Sequence, residues 1–173
     1  MSSNILPNVW RFVVLMLFQI LVLQGIQFES GFWKYLHPII YPLFIILLPI
    51  KTPVPLVLFM SFCMGLLIDN FYNSFGLHAS ASVFTAYARS FVLNIIEPRG
   101  GYNVAHIPSA KRYSMNWYMK YSAIMLLGHL LFYFSMEAFA PSYIINILLN
   151  TFFSFIVSYL LIMFYQIIFD PQD

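Results

Sequence analysis

Within a very apolar chain, one stretch gathers a carboxylate, an imidazole and a guanidinium: Asp69, His78 and Arg89. Ionisable groups at membrane depth cost about 2.5–3.5 kcal/mol each on insertion scales, so they mark interiors, pathways or partner contacts. Two chemistries could use them. Metal binding needs convergent ligands, but His37, His78, His106 and His129 are scattered over different segments and no pair has HxxxH spacing. Nucleophilic catalysis needs a Ser or Thr beside a base. Ser82 follows His78 at helical spacing, yet no orienting group or oxyanion hole accompanies the pair and intramembrane protease motifs are absent. Neither a metal site nor a serine nucleophile is therefore expected, and no cofactor.

The spacing of these residues says which elements must position them. His78, Ser82, Thr85 and Arg89 follow i, i+4, i+7 and i+11, so they share one face of a helix. Val83, Phe84, Tyr87 and Phe91 fall on the opposite face, which suits lipid or an apolar neighbour. Ser61 and Gly65 precede Asp69 at intervals of four, a small-residue stripe that invites close helix approach. Asn70 to Ser74 reads as a short turn and Gly76 as the start of the next helix, which makes the two helices antiparallel neighbours. Asp69 then either meets headgroups at a helix end or makes a specific contact, and His78 is its nearest candidate. Arg89 lies roughly 20 Å deeper at 1.5 Å per residue, which argues against a simple Asp69–Arg89 salt bridge. It either snorkels to the near interface or faces the bundle interior or a partner helix.

The whole chain is 61% hydrophobic and 8% charged over 173 residues, far from the roughly 25% charged composition of soluble domains. It reads as an all-α polytopic integral membrane protein. A crossing takes about 20 apolar residues, and about six spans are expected, over 9–27, 36–50, 55–69, 76–96, 118–138 and 143–169, forming a single transmembrane bundle. A barrel is excluded because the apolar runs do not alternate. Arg11 before the first run resembles a signal-peptide start, but no A-x-A site follows, so that segment is expected to be retained. Cys63 stands alone and reads as a small buried residue. Pro38 and Pro42 are expected to kink the second span, and Trp33 and Tyr35 to anchor its start. Asn146, Asn150, Ser154 and Ser158 recur every four residues on the last span, a polar ridge suited to bonding neighbouring helices.

The loop 98–117 is expected to be cytoplasmic, with Tyr113, Trp117, Tyr118 and Tyr121 along the membrane surface. With both termini inside, Arg11, Lys51, Arg99, Lys111, Arg112 and Lys120 fall at the inner side and Lys34 outside. Four cations beside membrane spans are ordinary topology signal, so no nucleic-acid partner is expected. No internal repeat or phosphate loop is visible, which argues against a two-half transporter.

The pattern Gly65-Leu-Leu-Ile-Asp69, a short gap, then Gly76-Leu-His78-Ala and Ala86-Tyr-Ala-Arg89 resembles the central segment of the bacterial rod shape-determining MreD family. Elsewhere the likeness rests on length, hydropathy and span number. The resemblance implies a non-enzymatic multi-pass protein of the bacterial inner membrane, acting in cell-wall elongation, peptidoglycan synthesis and cell shape. It implies an MreC-like single-span partner and, through it, the elongation transpeptidase and the RodA glycosyltransferase. It makes Ser61, Gly65, Asp69, Gly76, His78, Ser82, Thr85 and Arg89 structural or partner-contact candidates. The family's helical arrangement is similar to the substrate-binding components of energy-coupling-factor vitamin transporters, which supplies a second reading as a small-molecule binding component. Against that reading, the first span is bulky where small residues would be expected.

Overall fold

The computed structural model describes residues 5–26, 34–103 and 106–169. The described chain is all-helical: α1 (Ile5–Phe18), α2 (Pro42–Ile46), α3 (Val54–Tyr72), α4 (Leu77–Ile95), α5 (Ala110–Tyr113), α6 (Met115–Ala138) and α7 (Ile144–Phe169). A π-helical turn, Gln19–Leu23, extends α1, and a short 3₁₀ turn, Pro141–Tyr143, leads into α7. Three helical stretches are long and apolar enough to cross a membrane: Leu6–Leu23, Val54–Tyr72 and Pro141–Phe169. α4 and α6 have 19 and 24 residues, and they bury His78, Ser82, Thr85, Arg89, Ser122 and His129 inside the bundle. Of the expected first span, Gln27 lies outside the described residues, as does Trp33 of the following connection.

The expected helical span over 36–50 is not a helix. Only the five residues of α2 are helical, although residues 38–49 are all buried. Proline is the cause: Pro38 and Pro42 offer no N–H to a helix running through them, so Pro42 instead opens a new helix at its first position, and Pro49 stands beyond its end. The segment lies antiparallel to α1, since Gln19 bonds to Pro38 and Ile40 while Arg11 bonds to Leu47.

Non-helical backbone in apolar surroundings must find partners for its polar groups. Here side chains supply them. The N–H groups of His37 and Ile39 donate to Ser154 Oγ (2.9 Å) and Ser158 Oγ (2.8 Å), and that of Ile40 to Gln19 Oε1 (2.9 Å). Gln19 Nε2 donates to Pro38 O (3.2 Å). At the far end, the carbonyls that α2 leaves unpaired accept from Tyr121 OH (to Ile46, 3.1 Å), Arg11 Nη1 (to Leu47, 3.3 Å) and Arg89 Nη2 (to Leu48, and to Pro49 at 3.4 Å). Half of the expected ridge on the last helix therefore serves this segment rather than a neighbouring helix. Asn146 is exposed and Asn150 half-buried, and both line a surface cleft with Glu137.

α3 and α4 form the expected hairpin. Asn73 (φ 52°) ends α3 and Gly76 (φ 80°) precedes α4, both in the left-handed region that Asn and Gly tolerate. At Gly65 the helices meet so closely that a Cβ would overlap Ala79 Cα and the His78 carbonyl. Tyr118 and Tyr121, expected along the membrane surface, are instead fully buried. α6 starts at Met115, three residues earlier than expected, and turns both rings inward. Trp117 stays half-buried, its Nε1 donating to Ile96 O at 2.8 Å.

Gly65→Ala is expected to lower stability by about 1–3 kcal/mol or more, because the clash is with backbone and cannot be relieved by a rotamer change. Gly128→Ala is the control, since its nearest contact would be Phe84 Cε1 at 3.9 Å. Thermal unfolding of the two variants in detergent, followed by size-exclusion fluorescence, checks this.

Candidate functional site

Asp69 is the last buried residue of α3, and its carboxylate reaches across the turn to the start of α4. Oδ1 accepts from the backbone N–H of His78 at 2.9 Å and Oδ2 from that of Ala79 at 2.9 Å. These are N–H groups that a helix start leaves without partners, and no side chain at Gly76 can take them, so Asp69 caps α4 from the preceding helix. Its negative charge also faces the positive end of the α4 dipole.

Two side chains complete the arrangement. Ser74 Oγ donates to Asp69 Oδ1 at 2.6 Å, and His78 Nδ1 lies 3.0 Å from the same oxygen and 2.9 Å from Ser74 Oγ. A carboxylate only accepts, and the Ser74 proton is already spent on it, so His78 carries its proton on Nδ1 and shares it between the two oxygens. Asp69 and His78 form the one ion-pair contact found among the described residues, with both side chains buried. Tyr41, Tyr72 and Tyr133 enclose the imidazole, with ring centroids at 5.7, 4.8 and 4.9 Å.

The trio of Asp, His and Ser does not make a nucleophile relay. Such a relay uses both ring nitrogens, the carboxylate on one and the serine on the other. Here Asp69 and Ser74 crowd the same Nδ1. Ser82 is not on the ring either: its hydroxyl donates to the His78 carbonyl at 2.7 Å. No cluster of three or more His, Cys, Asp or Glu side chains able to hold a metal occurs among the described residues.

A second histidine site had not been singled out from the sequence. Thr85 Oγ1 donates to Ala81 O at 2.7 Å and lies 2.7 Å from His129 Nδ1, so it accepts from that nitrogen. Nε2 of His129 then accepts from Tyr41 OH at 2.8 Å. A sequence signal existed: Tyr118, Ser122, Met125, His129 and Tyr133 recur every three or four residues, and all of them are buried on one face of α6. Tyr41 thus stands between the two imidazoles and ties the buried segment to α6.

Arg89 lies on the same face of α4 but does not meet Asp69, as the depth difference requires; it grips the Leu48 and Pro49 carbonyls at the other end of the bundle. The stripes expected to offer a partner helix a groove are spent internally. Ser61, Gly65, Asp69, His78, Ser82, Thr85 and Arg89 are all buried within this chain, and Gly76 serves the turn. What faces outward is the opposite side: Phe59, Phe62 and Leu66 on α3, and Phe84, Tyr87 and Phe91 on α4.

A cavity of about 340 Å³ opens beside the Asp69 site, lined by Gln19, Gln24, His37, Tyr72, His78, Tyr133 and Glu137 among others. Its walls mix amide, imidazole, phenol and carboxylate with apolar surface. Comparison of the chain with protein-family models, curated proteins and solved structures finds no match.

Asp69→Ala removes the acceptor of four donors at once and is expected to cost about 3–5 kcal/mol, as for breaking a buried pair. Asp69→Asn keeps an acceptor but loses the charge, and should cost about 1–3 kcal/mol. Lys111→Ala, on an exposed position, should fall within ~0.5 kcal/mol of the parent. Unfolding midpoints of the purified proteins rank the three.

Proposed function

We propose that this chain is a non-enzymatic scaffold of the bacterial cell-elongation machinery, a multi-pass protein of the inner membrane that binds an MreC-like single-span protein. The observation that carries the proposal is what the resembling stretch, Gly65 to Arg89, is used for. Its distinctive residues build a capped, tightly packed hairpin and offer no group arranged to react. A polar pattern used for rigidity suits a protein whose task is to present a fixed surface. In this reading the chain crosses six times, five times as a helix and once through the segment around α2. A partner helix meets the outward faces of the bundle, since the polar stripes are already occupied. Through its single-span partner the scaffold acts on the elongation transpeptidase and the RodA glycosyltransferase.

The second reading, a small-molecule or vitamin-binding component of a transporter, draws on the cavity beside His78. At about 340 Å³ it lies at the lower end of the ~300–1,000 Å³ range of ligand sites, and it carries convergent polar groups.

Depletion separates the two. The scaffold reading expects a rod-shaped host to round or widen, with wall synthesis mislocalised and an MreC-like protein copurifying in mild detergent. Normal shape together with a nutrient-uptake defect cured by excess vitamin would reject it in favour of transport. The orientation has its own check: Lys51, Arg99, Lys111, Arg112 and Lys120 flank helix ends on one side of the bundle, so a reporter fused after Asp173 should be active only in the cytoplasm.

A further inference from the structure

Arg89 is 3% exposed, yet no carboxylate among the described residues pairs with it. Nη2 is spent on two carbonyls, while Nε–H is buried without a partner. Carbonyl dipoles compensate a full cation only partly, and an uncompensated buried charge is strongly destabilising. Buried polar atoms without partners are rare enough to need a reason.

Space for a counter-charge lies next to it. Arg89 lines a partly open cavity of about 150 Å³ between the start of α3 and the end of α4, together with Thr52, Val57, Ser90, Asn94 and Tyr102. Thr52, Ser90 and Asn94 contribute hydroxyl and amide donors, and Val57 an apolar wall. Tyr102 has its own proton on Leu93 O at 2.8 Å and closes one side of the cavity. No acidic side chain lines the cavity, and of the exposed charges at the same end of the bundle Lys51 and Arg99 outnumber Glu97. The volume is well below the ~300–1,000 Å³ of sites for whole small molecules. It suits one compact anionic group.

We propose that this cavity is a phosphate site and that its occupant is the headgroup of an anionic phospholipid. Basic pockets between membrane helices on the positive side take such headgroups. Arg89 supplies the buried cation, Thr52, Ser90 and Asn94 the surrounding donors, and Lys51 and Arg99 the field that concentrates anionic lipid at this end. The acyl chains lie along the apolar outer faces of α3 and α4. Occupancy completes the charge balance of the arginine that also holds the end of α2, so the lipid acts as a structural part of the bundle.

The test uses the full chain, purified in mild detergent, stripped of lipid and titrated with phosphatidylglycerol or phosphatidylcholine of the same acyl chains. Retained lipid is read by native mass spectrometry and stability by thermal unfolding. Wild type should retain phosphatidylglycerol about tenfold better than phosphatidylcholine and be stabilised by it alone. Ser90→Leu and Asn94→Leu fill the cavity while leaving the Arg89 bonds to Leu48 and Pro49 in place, and each should bring the preference to within about twofold. Asn94 is exposed at the mouth, so its variant carries the test even if Ser90→Leu fails to fold. Equal retention of the two lipids by wild type overturns the proposal, as does an unchanged preference in the folded leucine variants. Equal stabilisation by millimolar inorganic phosphate without lipid overturns the lipid assignment and leaves a free-phosphate site.

Discussion

A backbone that leaves the helix inside an apolar bundle must be given a side-chain partner for each N–H and C=O that it exposes, and the segment around α2 imposes that demand on the whole chain. Buried polar residues from four helices answer it. Ser154 and Ser158 on α7 and Gln19 on α1 meet the extended half; Arg11, Arg89 and Tyr121, from α1, α4 and α6, meet the carbonyls past α2. An intramolecular hydrogen bond nets only about 0.5–1.5 kcal/mol, but each group left unsatisfied costs about 1–3 kcal/mol, so the set matters more as an obligation than as a sum of gains. Four helices are thereby fixed around one segment that has little regular structure of its own.

The hairpin of α3 and α4 solves a smaller version of the same problem. α4 starts at a glycine that cannot cap, and Asp69 reaches over from the preceding helix to take its first free N–H groups. His78 and Ser74 then satisfy the remaining capacity of the carboxylate, and three tyrosines pack around the imidazole. Tyr41 links this cluster to the His129–Thr85 pair, so polar contacts run through the interior from one end of α4 towards Arg89 at the other.

The hairpin could be read from the sequence because both of its signals are local. Helical spacing put Asp69, His78 and Arg89 on defined faces, a short gap forced antiparallel neighbours, and depth separated Arg89 from Asp69. The segment 36–50 could not be read the same way. A short apolar run has no period that distinguishes a buried helix from a buried extended chain, and Pro38 and Pro42, which read as kinks, act as breaks. The outcome was set by distant residues such as Ser154 and Ser158, whose spacing was visible but whose acceptor role toward another segment was not. Tyr118 and Tyr121 were misplaced for a related reason: an aromatic beside cations is equally at home at an interface or, with its hydroxyl bonded as in Tyr121, in a core.

The bonds from His37 and Ile39 to α7 span 117 and 119 residues of sequence, which has a consequence for biogenesis. During synthesis the segment emerges long before the helix that satisfies it. Until α7 is in place, the N–H groups of His37 and Ile39 have no native acceptor, so the nascent bundle cannot close around them. Water, lipid headgroups or the insertion machinery must hold that stretch meanwhile. α7 thus acts as the lock of assembly, closing on a segment made long before it.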